Sequence, residues 1–429
     1  MITPPHSSYD LVVCGGGPAG FPAAIQAARN GSRVLLVEKS GMLGGATTLN
    51  RVAFPGLFSA WGKQIIAGIG WDLVRAAALE SGHTLPDFTQ LPERHWHHQI
   101  SLCPTVLAAT LDQAVIDSGC DLLFHTLPAA VSGGQGKDWQ LVLCGKEGLH
   151  TVTAKWLIDC TGDANLAALA GCELSPPASS LQPATLVFRM EGYELDDLNI
   201  EAIDQQVPEA LASGELHSSD LGWGAKSVSQ LLYTHGENAI HIPRVNATSS
   251  RGKTQAEIAG RQSVMRVFRF LKKQPGLEKL KIDWCAPECG IRETRSIIGE
   301  STISHQDYQT GRLWDDAVCY SFYPIDLHTD EGLDCRKLAP GTFPTLPLSA
   351  MTPKGVKQFL VAGRCISGDR LANSAFRVQA SSMAMGQAVG AVASCAVQAG
   401  LHHPADLPAD SWKQAIRKQG GIVPATDLL

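Results

Sequence analysis

Val12–Gly20 reads VVCGGGPAG, and the residues around it decide the fold. Ahead of the glycines, residues 9–14 form an apolar run that predicts a buried strand. Behind them, residues 21–30 (FPAAIQAARN) predict a helix that stops at Gly31. Residues 33–38, RVLLVE, predict a second, parallel strand ending in an acid. Strand, glycines, helix, strand and acid together make a βαβ unit of the Rossmann type. Gly15 permits the tight turn, Gly17 lets the backbone approach a pyrophosphate, and Gly20 lets the helix pack close to the strand. The helix N-terminus turns N–H groups and the positive end of its dipole toward phosphate. Glu38 stands about twenty residues past the glycines, where a carboxylate can accept both ribose hydroxyls.

A second glycine-rich loop, SGMLGGATT at residues 40–48, follows Glu38 directly. An NAD domain would proceed to its next helix here. A second flexible loop beside the pyrophosphate suits a longer ligand, which favours FAD. Further on, residues 105–118 predict a helix with Leu107, Leu111 and Val115 one turn apart. Residues 121–130 predict a strand, 133–136 a glycine turn, and 139–144 with 151–158 a hairpin. LIDCTGD at residues 157–163 is an apolar strand ending in Thr161-Gly162-Asp163, a place where backbone can approach a nucleotide.

From residue 173 to 350 the periodicity weakens and no βαβ pattern recurs. Within this stretch residues 254–273 predict an amphipathic helix. Arg261, Arg266, Arg269, Lys272 and Lys273 form its solvated face, and Ile258, Val264, Val267, Phe268 and Leu271 its apolar face. FLVAGRC at 359–365 is again a strand running into glycine, and residues 381–398 predict a helix returning to the first domain. The expected architecture is α/β. A Rossmann-like dinucleotide domain uses residues 1–172 and 351–429, and an α+β substrate or cap domain, residues 173–350, is inserted in it.

The chain of 429 residues is 44% hydrophobic and 18% charged, a globular balance, and its net charge of −6 gives no general attraction to nucleic acid. The apolar stretch at 383–401 is interrupted by Gln387, Ser394 and Gln398, so a buried helix is expected in place of a membrane span. None of the twelve cysteines has CxxC spacing, and Pro287 stands between the nearest two, Cys285 and Cys289. That excludes zinc-ribbon and iron–sulfur patterns. With no basic-then-apolar leader in MITPPHSSYD, it points to a reducing cytoplasm. His95, His97 and His98 form a histidine-rich run without a partner pattern, and no metal is expected.

Seven stretches occur in order: GGGPAG, VEKSGMLGGATT, LIDCTGDANLAALAG, KTQAEIAGRQ, CGIRETRSIIGE, YPIDLH and AGRCISGDRLANSAFRVQASSMAMGQAVG. Together they resemble the broad bacterial family of FAD-dependent oxidoreductases with a glutathione-reductase-like FAD domain. The resemblance runs from about residue 9 to 399. It implies that Gly15, Gly17, Pro18, Ala19, Gly20, Glu38, Lys39, Gly44, Gly45, Ala46, Val131, Thr161, Gly162 and Asp163 line FAD. It implies further that Gly363, Arg364 and the start of the last helix (Met383, Ala384, Gly386, Gln387) lie near the flavin end. A helix N-terminus there would stabilise the negative charge of reduced flavin. Gly386 and Gly390 read equally well as positions of close helix packing.

For chemistry over the flavin, CGIRETR places Arg292 and Arg295 three apart, on one face if helical, where two guanidiniums could grip a carboxylate. Ion pairing to Glu293 or Glu300 is the structural alternative. In YPIDLH, Asp326 and His328 alternate on an extended segment and so share a side, an arrangement suited to a proton relay. Asn246 and Arg377 lie in stretches that match the family and could reach the ring. The reading is an FAD-dependent oxidoreductase moving a hydride between flavin N5 and a small organic substrate, with carboxylates among the candidates. The alternatives are a tRNA-modifying flavoprotein and an FAD-binding electron-transfer subunit of a larger complex. A disulfide reductase is excluded, because residues 43–58 hold no cysteine. A second NAD-type GxGxxG is absent, and the sequence names neither an electron donor or acceptor nor an oligomeric state.

Overall fold

The fold is that of a computed structural model, which describes residues 6–90, 95–176, 178, 180–221, 226–238, 240–329 and 332–425. The opening βαβ unit forms as expected: β1 (Ser8–Cys14), α1 (Gly20–Arg29) and β2 (Val34–Val37), with Val12 opposite Leu35 in a parallel pair. Then come α2 (Ile69–Glu80), α3 (Pro104–Asp117), β3 (Asp121–Leu123), β4 (Leu127–Ser132), β5 (Trp139–Gly145) and β6 (Gly148–Asp159). The middle of the chain supplies β7 (Phe188–Glu191), α4 (Ser250–Leu271), β8 (Lys281–Cys285), β9 (Ile325–Thr329) and β10 (Gly332–Arg336). The chain closes through β11 (Phe359–Val361), α5 (Arg370–Phe376) and α6 (Gln379–Ala399).

The main sheet has the order β3–β2–β1–β6–β5–β4, with β11 also paired to β6. Strands β3, β2, β1, β6 and β11 are parallel, and β5 and β4 continue the sheet antiparallel. The twelve-residue β6 serves both parts: Gly148–Ala154 pair with β5, and Leu157–Asp159 pair with β11. The result is a mixed α/β fold on a Rossmann-like parallel sheet.

The strand expected at 121–130 is two strands. The chain bends at His125, whose φ is +51°. His125 and Thr126 donate their N–H groups to the carbonyls of Ser40 and Glu38, both at 3.1 Å. This link seats β3 beside β2 and sends β4 into the hairpin. The last helix also differs, because Val378 caps it in an extended conformation and α6 begins at Gln379, earlier than expected.

Buried apolar side chains form two clusters. One fills both faces of the main sheet and takes in Ile297, Tyr308, Val318 and Leu346. The other lies within residues 184–289 and includes Phe188, Met190, Val207, Leu231, Val267 and Phe270. Although α6 is long and apolar enough to cross a bilayer, it is buried against α1. A Cβ on Gly386 would sit 1.9 Å from the Ala19 carbonyl oxygen, and one on Gly390 2.3 Å from that of Ala23. The packing reading of these two glycines is therefore met by backbone contact.

Helix α4 corrects the expected faces. Arg266 is no solvated cation: its Nε and Nη2 donate to both oxygens of the fully buried Asp220, at 2.8 and 2.7 Å. Ile258, expected inside, is 47% exposed. The helix instead turns Gly252, Ala256 and Gly260 inward, because the approach is close. A Cβ on Gly260 would lie 2.9 Å from Ile242 and 3.0 Å from Cys289.

Candidate active site

The glycines after β1 adopt a shape that side chains would block. Gly15 has φ +99°, and a Cβ there would stand 2.4 Å from the Cys160 carbonyl oxygen. At Gly20 it would stand 1.6 Å from the Gly15 carbonyl oxygen. Gly17 faces open space, with only Gly45 Cα near, at 3.9 Å. The second glycine loop is bonded to the first, since the Gly44 N–H donates to the Gly16 carbonyl at 2.9 Å. Ala46 continues that loop and accepts the Val52 N–H at 3.0 Å. The buried Glu38 carboxylate accepts the N–H groups of Gly16 (2.7 Å) and Ser40 (2.8 Å) and the Ser40 hydroxyl (2.7 Å). Lys39 points away and pairs with Glu288 at 3.1 Å.

At the end of β6 the fully buried Asp159 takes the Thr161 N–H and hydroxyl and the Ala167 N–H, which folds the chain back on itself. Burial raises its pKa against these donors. Asp163 ties several segments together. It accepts Arg364 Nη2 at 2.6 Å and the Thr294 hydroxyl at 2.9 Å on Oδ1, while its backbone carbonyl accepts Arg295 Nε at 2.9 Å. Arg364 Nε also donates to the Gly162 carbonyl at 2.7 Å. Gly363, with φ +90°, brings this segment against α1, so close that a Cβ there would lie 3.3 Å from the Ala19 methyl. Two facing glycine loops, the α1 N-terminus behind Pro18 and Ala19, and the Glu38 carboxylate form a strip that fits the pyrophosphate and ribose of FAD.

Two groups of the expected residues fall outside the two glycine loops. Val131, half-buried, pairs with Leu141 near the turn of the β4–β5 hairpin, and the link beside Glu38 is His125–Thr126. Met383, Ala384, Gly386 and Gln387 lie beyond the first turn of α6 and serve packing. Met383 meets Gly70, Ala384 packs on the main core, and Gln387 bonds to the Ile69 N–H, the Gln26 side chain and the Gln419 carbonyl. The helix start belongs to Gln379, which donates to the carbonyls of Val52 (2.8 Å) and Phe54 (3.3 Å) and accepts from the Thr47 hydroxyl. Ala380 donates its N–H to Pro55 at 2.7 Å.

The RETR segment is not helical, and its two arginines diverge. Arg295 joins Asp163 and Asn165. Arg292 is buried, with Nη1 donating to the Pro183 carbonyl at 2.7 Å. The proposed ion-pair partners are engaged otherwise, Glu293 with Arg370 at 3.0 Å and Glu300 with His403 at 2.8 Å. Asp326 and His328 do share a side of β9, with His328 Nε2 at 3.2 Å from Asp326 Oδ2. Arg377, at the end of α5, donates through Nη2 to the Asp326 carbonyl (3.2 Å) and to Gln182 Oε1 (3.3 Å). The His241 ring meets His328 edge-on, 5.1 Å between centroids. Arg292, Asp326, His328 and Arg377 thus come together, and Gln182 and His241 join them. Asn246 is exposed, and its oxygen closes a turn onto Thr248 ahead of α4. Of the histidine run, His98 packs against Phe88, and the side chain of His95 lies outside the described residues.

Burial controls the charges in this cluster. It lowers His241 to about 3, helped by the nearby Arg292 charge, and His328 to about 4, against the pull of Asp326. Burial and Arg377 lower Arg292 to about 9. Burial works to raise Asp326, but the His328 hydrogen bond and the Arg377 and Arg292 charges hold it below its ordinary value. At neutral pH both imidazoles are neutral and Asp326 is ionised. Its carboxylate can only accept from His328 Nε2, so that nitrogen carries the proton and Nδ1 is the basic one. Gln182 and His241 escape a sequence reading that looks for motifs. Their one signal is a polar residue set among apolar neighbours, as in Ile240-His241-Ile242.

A family described as FAD dependent oxidoreductase matches residues 10–416. Among curated proteins, the chain is 42% identical over 64 residues to a fumarate reductase (cytochrome) of Shewanella frigidimarina, which is 15% of this chain and 11% of that one. It is 52% identical over 52 residues to a dihydrolipoyl dehydrogenase of Trypanosoma brucei brucei, 12% of this chain and 11% of that one. These alignments span about a tenth of each relative's length. Among solved structures, a geranylgeranyl bacteriochlorophyll reductase-like protein of Thermoplasma acidophilum is 14% identical with a TM-score of 0.46, covering 96% of this chain and 84% of that one.

Proposed function

The chain belongs to the FAD-dependent oxidoreductase family, and from that premise we propose that it moves a hydride between FAD and a small organic substrate held at the Arg292–Asp326–His328–Arg377 cluster. FAD supplies the hydride chemistry through N5 of its flavin. Gly15, Gly17 and the α1 N-terminus would hold the pyrophosphate, Glu38 the ribose, and Gly44 and Gly45 would lie alongside the pyrophosphate loop. The observation that carries the reading is the position of the cluster. Arg377 sits two residues before α6, and α6 is bonded through Gln379 and Ala380 to residues 52–55, just downstream of the second glycine loop. In this reading His328, oriented by Asp326, exchanges a proton with the substrate through Nδ1, and the arginines orient the substrate. Residues 1–172 and 351–429 make a glutathione-reductase-type FAD domain, and the inserted residues 173–350 bring Gln182, His241 and Arg292 over it.

The test is anaerobic. FAD-loaded protein is mixed with small acids, alcohols, NADH and NADPH while the flavin band is followed. Bleaching by an organic substrate, slowed about 100-fold in Asp326→Asn with FAD content unchanged, is the expected result. Bleaching that is indifferent to Asp326→Asn would remove the cluster from the reaction.

A further inference from the structure

Two donors in the cluster are buried and unsatisfied. Gln182 is 2% exposed. Its Oε1 accepts the His328 N–H at 3.2 Å and Arg377 Nη2 at 3.3 Å. Both partners are donors only, so the oxygen must face them and the amide orientation is fixed. Nε2 is thereby aimed elsewhere, and it has no hydrogen-bond partner among the described residues. Arg377, whose side chain is 14% exposed, uses Nη2 for Gln182 and the Asp326 carbonyl, and its Nε is likewise buried without a partner. A buried donor left in this state is costly, and native proteins rarely carry two at one place.

The charge count agrees. Glu293 is paired with Arg370, and Asp163 with Arg364. Among the described residues that leaves Arg292 and Arg377 with one carboxylate not paired to another arginine, Asp326, and two neutral imidazoles. Among the described residues one positive charge is uncompensated in a largely buried site, where compensation is worth more than in water. A ligand with one negative charge, and acceptor oxygens for two N–H donors, completes the site.

We infer that Gln182 Nε2 and Arg377 Nε bind the carboxylate of a monocarboxylic organic substrate, with Gln182 as the residue that selects for it. The inference deepens the reading of the cluster as the substrate site and rests on it. The amide gives direction and Arg377 gives charge. A neutral carbonyl would satisfy one donor and leave the excess charge standing, while a dicarboxylate would bring one negative charge too many.

The probes are crotonate, its neutral isostere crotonamide, and fumarate, titrated into oxidised FAD-loaded protein by calorimetry and by the shift of the flavin band. Crotonate is expected to bind at least tenfold more tightly than either of the others, a comparison that needs no variant. Gln182→Met keeps the volume and removes the donor, and is expected to weaken crotonate at least tenfold with FAD retained. Arg377→Lys keeps the charge, loses Nε, and is expected to do the same. Gln182→Glu sets a second carboxylate at the site and is expected to abolish binding. Equal affinity for crotonate and crotonamide overturns the inference. So does absence of crotonate binding to the oxidised protein together with a lowered flavin potential in the charge-removing variant Arg377→Gln, which would assign the excess charge to the reduced cofactor. If crotonate binds as expected but no organic acid reduces or reoxidises the flavin, the carboxylate site stands and the hydride reading falls.

Discussion

The glycine strip and the buried polar cluster proposed as cofactor and substrate sites are built in opposite ways. The strip is nearly continuous in sequence: residues 15–48 carry both glycine loops and Glu38. The cluster draws Gln182, His241, Arg292, Asp326 and Arg377 from five separate segments, and the hydrogen bond from Arg377 to Gln182 spans 195 positions. The strip is shaped by backbone, where a missing Cβ is the feature the fold needs. The cluster works through side-chain charge and burial. The contrast predicts different failures, loss of the cofactor in one region and loss of chemistry with the cofactor still bound in the other.

The largest effect tests the strip. Gly20→Val places a Cβ 1.6 Å from the Gly15 carbonyl oxygen, so α1 must move off β1 and the N–H groups at its start move with it. We expect protein purified without flavin and destabilised by about 3 kcal/mol or more, read as the flavin-to-protein ratio and by denaturant unfolding. Gln182→Met, in the cluster, should keep a full complement of flavin. Equal flavin loss in both variants would break the comparison.

Next comes the second apolar core, within residues 184–289. Asp220 is fully buried and holds Arg266 and Ser263. Asp220→Ala leaves a mostly buried guanidinium unpaired, a change that costs about 3–5 kcal/mol. The loss should fall on the 184–289 cluster of side chains. Denaturant unfolding followed by tryptophan emission should shift further than unfolding followed by flavin release.

This contrast also explains what the sequence discloses. GGGPAG and Glu38 are legible because local backbone geometry dictates both residue type and spacing. The pairing of Asp326 with His328 is legible for the same reason, since alternation on a strand puts both on one side. Arg292 and Arg295 mislead because their spacing suggests a shared face only on a helix, and that segment is not helical. Gln182 carries no local pattern at all; its role depends on a hairpin more than a hundred residues away folding against it. The basic face of α4 misleads in another way. Asp220, which takes Arg266 out of solvent, lies outside the helix and outside its periodicity.

A smaller effect separates the regions by acidity. His241 and His328 sit at about 3 and 4 in the folded protein, against an ordinary 6.5. Between those values the unfolded chain binds protons that the folded chain does not. Stability is therefore full above pH 6.5 and declines as the pH falls toward 4, by up to about 1.4 kcal/mol per pH unit for each histidine. Asp326, whose folded pKa lies below its ordinary 3.8, loses its contribution only at lower pH, outside this window. His241→Gln should reduce the slope between pH 6 and 4.5 by about one proton, measured by urea unfolding at several pH values. An unchanged slope would mean that the His241 ring titrates normally and that the cluster is wetter than its burial indicates.

The smallest effect concerns the charges that remain on the surface of α4. Lys273 is 66% exposed at its side chain and reaches Glu215 at 2.6 Å, and Arg261 is 3.7 Å from Glu257. Exposed pairs of this kind contribute at most about 1 kcal/mol, because water and salt screen them and two long side chains must be held still. Lys273→Ala should shift unfolding by less than that and leave FAD content and flavin reduction unchanged. The same variant combined with Arg261→Ala and Arg269→Ala probes the nucleic-acid alternative. Each cation taken away from a phosphate would flatten the salt dependence of RNA binding by about one unit of slope. The partners already found for Arg266, Lys253 and Lys273 are carboxylates of this chain, which draws the face inward and away from a polyanion. RNA affinity that is weak at physiological salt and insensitive to the triple variant is the expected outcome. A steep salt dependence that the triple variant removes would make this helix a second functional surface, one built like the strip from residues adjacent in sequence.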